Sequence, residues 1–156
     1  MSVEIGDPAP DFTATTSDGQ QISLAGFKGK QSVVIFFYPS DNSPICTQEA
    51  CSFRDAYEDF VKLGAAVIAV SADSDETHRD FAAKKKLPYL MVSDRGNALR
   101  KLFEVPSVMF LLPGRVTYVI DQEGILRSKF VSQLFANQHV EEALKTLRQL
   151  SSSADT

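Results

Sequence analysis

The chain has 156 residues, 44% of them hydrophobic and 23% charged, and 16 Lys and Arg stand against 20 Asp and Glu for a net charge of −4. That length suits one domain with a full core, burying roughly 70% of its unfolded surface, and is short for two. The acidic balance argues against a general nucleic-acid binder, and no apolar run nears the roughly 20 residues of a membrane span.

In chain order, the opening carries Glu4, Asp7 and Asp11 and no Lys or Arg before Phe12. It lacks a secretory or transit signature, so a cytoplasmic location is expected. Ser17-Asp18-Gly19-Gln20 is a turn signal between Phe12–Thr16 and Gln21–Leu24, which predicts a β-hairpin. Ser32–Tyr38 is a continuous β-branched and aromatic run and predicts a central strand buried on both faces. Pro39–Ile45 follows as a loop. From Cys46 the pattern turns helical, with Ala50, Phe53, Tyr57, Phe60 and Val61 at helical steps and Gly64 as the stop.

Ala65–Ser71 is a second buried strand, Asp75–Lys86 a helix with Phe81 and Ala82 inward, Pro88–Val92 a short strand and Asn97–Phe103 a short helix. Val116–Ile120 and Ile125–Val131 flank a turn at Asp121-Gln122-Glu123-Gly124. A last helix, about Gln138–Leu150, sets Val140, Ala143, Leu144 and Leu147 on one stripe. Strands alternating with helices imply an α/β layer fold with a parallel core, made mixed by the final hairpin. The order matches a thioredoxin-like plan with an N-terminal β-hairpin extension, an insertion around Asp75–Pro113 and helices flanking a central mixed sheet. Residues 1–150 form the single domain, and 151–156 read as a flexible tail.

Two cysteines do not make a disulfide scaffold. Cys46 and Cys51 lack the spacing and partner ligands of a structural zinc site, and His78 and His139 lie far apart in sequence. No metal and no organic cofactor is expected. Cys46 opens a helix, where unpaired N–H groups and the macrodipole favour a thiolate, the reactive form of the thiol. Residues i and i+5 of a helix lie about 8–9 Å apart at Cα, and a disulfide rarely tolerates more than about 7 Å. Bonding Cys46 to Cys51 therefore requires the first turns of the helix to unwind. A catalytic bridge fits that requirement better than a permanent one. Against this stands the ordinary reading of a cysteine beside an apolar stripe, a small buried hydrophobe.

The segment Tyr38-Pro39-Ser40-Asp41-Asn42-Ser43-Pro44-Ile45-Cys46 resembles the active-site loop of peroxiredoxins, P-x-x-x-T/S-x-x-C. Cys51 five residues on, followed by Ser52-Phe53-Arg54-Asp55, is similar to the peroxiredoxin Q branch, also called bacterioferritin comigratory protein. The likeness extends to Gly6–Phe12, to Ser71–Ser74 with His78, and to Leu112–Asp121.

The resemblance implies a thiol-dependent peroxidase. Cys46 would attack the peroxide and Cys51 would resolve the sulfenic acid as an intramolecular disulfide. Ser43 would hydrogen-bond peroxide and thiolate. Arg115 would hold the thiolate ionised, Glu49 would orient Arg115, and Pro39 would shield the pocket. It further implies a peroxide substrate, thioredoxin or a related thiol donor as reductant, and a monomer. Ile45 departs from the branch's usual Gly. A β-branched residue resists φ > 0 and adds apolar bulk, so altered substrate preference or slower unwinding is expected.

Two alternatives stay open: a protein thiol–disulfide oxidoreductase, whose usual C-x-x-C is absent, and a thioredoxin-fold redox-sensing module. His78 reads as part of a solvated face. His139 sits near a helix start with nothing to suggest catalysis. Lys84-Lys85-Lys86 reads as a solvated helix end, with docking of an acidic reductant a minority reading. Phe103, Phe110 and Leu111 fit a pocket cap or ordinary packing.

Overall fold

The structure is a computed structural model and describes all residues except 1–3, 40–43, 95, 97, 104, 106, 109–111, 114, 132–135 and 155–156. The chain opens with the expected hairpin, β1 (Thr13–Thr15) against β2 (Gln21–Ser23), and a short α1 (Leu24–Phe27) capped by the Ser23 side chain. Then come β3 (Ser32–Phe37), α2 (Pro44–Asp55), α3 (Tyr57–Lys62), β4 (Ala65–Ser71), α4 (Asp75–Lys85), β5 (Leu90–Ser93) and α5 (Ala98–Leu102). A small ladder of β6 (Ser107–Val108) and β7 (Leu112–Pro113) precedes β8 (Val116–Ile120), β9 (Leu126–Val131) and α6 (Ala136–Ala154).

The central sheet runs β5-β4-β3-β8-β9. β3, β4 and β5 are parallel, and β8 and β9 are antiparallel to their neighbours. This is the mixed sheet the element order predicts, with β3 at its centre and every residue of β3 buried. Side chains alternate across the sheet. Val34, Phe36 and Tyr38 face a core shared with α2, α3 and α6, while Val33, Ile35 and Phe37 face a second core with Phe12, Leu24, Leu99 and Phe103. Each such side chain fully buried stabilises the fold by roughly 1.5–3 kcal/mol. Phe103 packs on Phe12, Phe37 and Tyr118, so it is core; Phe110 and Leu111 lie outside the described residues.

Several expected boundaries move. The helix expected from Cys46 begins at Pro44, since proline suits a first helical position where its missing N–H is no loss. The single helix to Gly64 is two, broken at Ala56. The break keeps Phe60 in the core and turns Val61 outward, at 53% exposure. Gly64 does end α3, with φ of +73°. β5 starts at Leu90 because Pro88 has no N–H for a ladder. α6 continues through Ala154, so most of the tail expected after residue 150 is helical. His78, expected on a solvated face, is fully buried, with Nε2 3.2 Å from the Val92 carbonyl oxygen and 3.4 Å from Ser71 Oγ. Among the described residues, no helix is long and apolar enough to cross a membrane.

Candidate active site

The strand register builds the site. Val116 pairs with Phe37, which sets Arg115 beside the end of β3 where the chain leaves for α2. Alternation along β8 then points Thr117 and Val119 to the α2–α6 side and Val116, Tyr118 and Ile120 to the other. α6 packs on α2, β8 and β9 and closes that side.

Cys46 is the third residue of α2, still within the turn whose N–H groups lack helical partners. The residue is 1% exposed. Arg115 Nη2 donates to Cys46 Sγ at 3.2 Å. Arg115 Nη1 lies 3.6 Å from Glu49 Oε1, an ion-pair contact beyond hydrogen-bond length. Glu49 is fully buried one helical turn after Cys46, and burial pushes its carboxyl up to about 8 while the Arg115 charge opposes the rise. Cys46, Arg115 and Glu49, all singled out in the sequence, are thus brought together. Pro39 follows Tyr38 at half-buried depth. Cys51 is half-buried on the same helix, and neither cysteine is in a disulfide. Ser43 lies outside the described residues, as does the side chain of Ile45. Ile45 belongs to α2, whose backbone is helical with negative φ, so the expected difficulty with φ > 0 does not arise.

Two residues were missed. His139, dismissed as a helix-start residue, is fully buried; Nε2 is 3.5 Å from Glu49 Oε2 and Nδ1 2.7 Å from Thr117 Oγ1. Its signal was available: His139, Ala143 and Leu147 recur at four-residue steps, on the inward stripe of α6. Arg100 is also buried. Its Nη2 donates to the Tyr38 carbonyl at 2.6 Å, and its guanidinium lies 5.7 Å from the Phe37 ring centroid. Burial pulls Arg100 below its ordinary range and Asp94 opposes this. Asp94 also accepts from the backbone N–H groups of Leu99 and Arg100, which fixes the start of α5. No helical periodicity advertises Arg100 in so short an element.

Such an arrangement can hold a thiolate in a dry pocket and stabilise charge developing beside it. Among the described residues, no group of three or more His, Cys, Asp or Glu is arranged to hold a metal.

The AhpC/TSA family model matches residues 5–129. A chloroplastic peroxiredoxin Q from Sedum lineare is 47% identical over 146 residues, 93% of this chain and 78% of the relative. Another, from Suaeda salsa, is 48% identical over 149 residues, 95% of this chain and 69% of the relative. Among solved structures, peroxidoxin BcpB of Mycobacterium tuberculosis superposes with a TM-score of 0.86 at 30% identity, over 94% of this chain and 97% of its own. A bacterioferritin comigratory protein of Xanthomonas campestris, described for alkyl peroxide reduction, superposes at 0.83 with 29% identity, over 94% and 96%. The chloroplastic relatives overturn the cytoplasmic location expected above. Targeting segments are removed from mature chains, so an opening without one does not report the compartment. With the family model spanning most of the chain, and relatives and solved structures agreeing over nearly all of it, the chain belongs to the AhpC/TSA family, in its peroxiredoxin Q branch, and is a thiol peroxidase.

Proposed function

We propose that this peroxidase reduces hydrogen peroxide and organic hydroperoxides through Cys46, resolves through Cys51, and is recycled by thioredoxin or a similar dithiol. The observation that carries the reading is the buried Cys46 sulfur facing Arg115 Nη2 at 3.2 Å at the start of α2. The Cys46 thiolate attacks the terminal peroxide oxygen. The O–O bond breaks, the sulfur becomes a sulfenic acid, and the departing alkoxide or hydroxide takes a proton. Arg115 stabilises both the thiolate and the charge growing on the leaving oxygen. Ser43 hydrogen-bonds the peroxide, the N–H groups of Ile45 and Cys46 complete the cradle, Pro39 keeps water out and Glu49 orients Arg115. Cys51 then attacks the sulfenic sulfur. One water leaves and a Cys46–Cys51 disulfide remains, which the donor dithiol reduces by exchange. The enzyme works as a monomer, and Ile45 biases it among hydroperoxides of different bulk.

Stopped-flow consumption of peroxide tests this. Cys46→Ser is expected to remove peroxidase activity altogether; full activity in that variant would sink the assignment. Ile45→Gly is expected to change the ratio of rates for hydrogen peroxide and a bulky hydroperoxide, and an unchanged ratio would remove Ile45 from the account.

A further inference from the structure

We infer that Glu49 and His139 form a buried ion pair that holds Arg115 in its working orientation, which makes His139 a positioning residue for the Cys46 reaction. This rests on the role given to Cys46 above. Four groups line up from α2 through β8 to α6: the Cys46 sulfur, the Arg115 guanidinium, the Glu49 carboxyl and the His139 imidazole. The successive contacts are 3.2, 3.6 and 3.5 Å. With Cys46 and Glu49 ionised and His139 protonated, charges alternate along the row and sum to zero. A buried set of ions is tolerated when each finds an opposite neighbour.

The imidazole faces an acceptor on each side. Nε2 looks at Glu49 Oε2, and Nδ1 lies 2.7 Å from Thr117 Oγ1, a hydroxyl able to accept. A protonated ring, which donates from both nitrogens, satisfies both contacts at once. Arg115 alone does not hold the carboxyl ionised at neutral pH, because burial outweighs it. A neutral Glu49 would be a poor anchor for a guanidinium, so a second cation is needed, and His139 is the group in place. Among the described residues, Thr117 of β8, Arg115 just before it and the Phe130 ring of β9, which meets His139 edge-on at 4.8 Å, also face this pair. From α5, Arg100 feels the fields of Cys46 and Arg115 and is balanced by Asp94.

Two measurements test the pair. The chain has two histidines, so nitrogen-15 spectra of the histidine-labelled wild-type enzyme resolve both, with His78 as internal reference. His139 is expected to be protonated on both ring nitrogens at pH 7, and a neutral ring overturns the inference. The second uses His139→Gln, Glu49→Gln and the double variant. Each single change is expected to slow the peroxide reaction about tenfold, less than the roughly hundredfold penalty of a 1 Å misplacement. The double variant is expected to be no slower than either single one, because both remove the same anchor. Alkylation of Cys46 by iodoacetamide should fall too, but by less than the peroxide rate, since it loses only the support Arg115 gives the thiolate and not that given to a leaving oxygen. Additive slowing, unchanged peroxide rates, or parallel loss of both reactions overturns the inference. Cys46→Ser separates the two levels. If that variant stays active, the Cys46 reading has failed; if it is dead while His139→Gln matches wild type, only the role of His139 has failed.

Discussion

Cys46 and Cys51 share one helix and meet opposite surroundings. Cys46 lies in the first turn of α2, buried, with a guanidinium on its sulfur and a buried carboxyl one turn away. Cys51 sits five residues on, half-exposed and beyond that row of charges. Activation rewards a helix start held rigidly against β8 and α6. Resolution, on the proposed reading, demands that the same turn come apart. Phe53 marks the limit of what yields: its ring stacks on Phe36 at 4.1 Å and on Phe60 at 5.6 Å. On that reading, the sequence between Cys46 and Phe53 is the segment that opens while the aromatic core keeps the rest of α2 in place.

The largest effect expected from this contrast is at Cys51. Cys51→Ser should leave the first reaction with peroxide at its wild-type rate and end steady turnover with a dithiol donor. Cys46 should then accumulate one oxygen atom, visible by mass spectrometry. A slowed first reaction in Cys51→Ser would mean that the two ends of α2 are not separate in function. Next comes the charge at the other end. Arg115→Met should slow the peroxide reaction by about 10²–10³-fold, the loss typical of one preorganised transition-state donor. A slowing of only a few-fold would assign Cys46 activation to the helix terminus alone.

How far the sequence reveals this site depends on where each residue sits. β3 announces itself, because six β-branched or aromatic residues in a row, Val33 to Tyr38, leave few other options. Cys46, Arg115 and Glu49 are legible through their match to the peroxiredoxin motifs, Cys46 also through its place at a helix start. His139 was passed over because a polar residue near a helix start suggests capping or solvent. Its four-residue steps to Ala143 and Leu147 put it on the inward stripe, while the packing of α6 on α2 and β8 decides what it meets there. Arg100 depends on a contact with the Tyr38 carbonyl, 62 residues away in sequence, and nothing local encodes that. The extra proline turn of α2 and the break at Ala56 were missed because periodicity places stripes better than ends.

The buried row of charges also gives the contrast a pH dependence. The Glu49 carboxyl has an ordinary value of 4.5 and is pushed by burial up to about 8. The native state therefore keeps a proton that the unfolded chain has released. Where the native state binds more protons, stability falls as pH rises. For an unaided carboxyl, that loss would begin near pH 4.5 and continue to about 8. If His139 carries the proton for Glu49, the unfolded chain holds an equivalent proton on histidine until about pH 6.5. The loss then begins only near pH 6.5, at up to about 1.4 kcal/mol per pH unit. Urea unfolding of wild type against Glu49→Gln across this range isolates the effect, with the wild-type excess slope expected only above about pH 6.5. An excess slope already present near pH 5 would place the proton on the carboxyl alone.

The smallest effect concerns how the second half of α2 is held. Among the described residues, three side-chain hydrogen bonds tie it to the rest of the molecule. Tyr89 Oη donates to the Ala50 carbonyl at 2.8 Å, Ser52 Oγ donates to Asn137 Oδ1 at 2.5 Å, and Arg54 Nη1 donates to the Lys85 carbonyl at 2.8 Å. Only the first falls within the segment between the two cysteines. It is buried, and its ring is fixed edge-on to Phe36 at 5.6 Å. Tyr89→Phe keeps the ring and deletes the donor. A single buried hydrogen bond is worth about 1 kcal/mol, or roughly fivefold in a rate that requires its rupture. Tyr89→Phe should therefore speed formation of the Cys46–Cys51 disulfide about fivefold after a peroxide pulse, while the initial attack on peroxide is unchanged. It should also lower the yield of sulfinic acid at high peroxide, because a sulfenic acid captured sooner by Cys51 has less time to meet a second peroxide. If Tyr89→Phe slowed the peroxide attack instead, the Ala50 carbonyl would belong with the rigid end of α2, and the boundary between the two ends would lie beyond it.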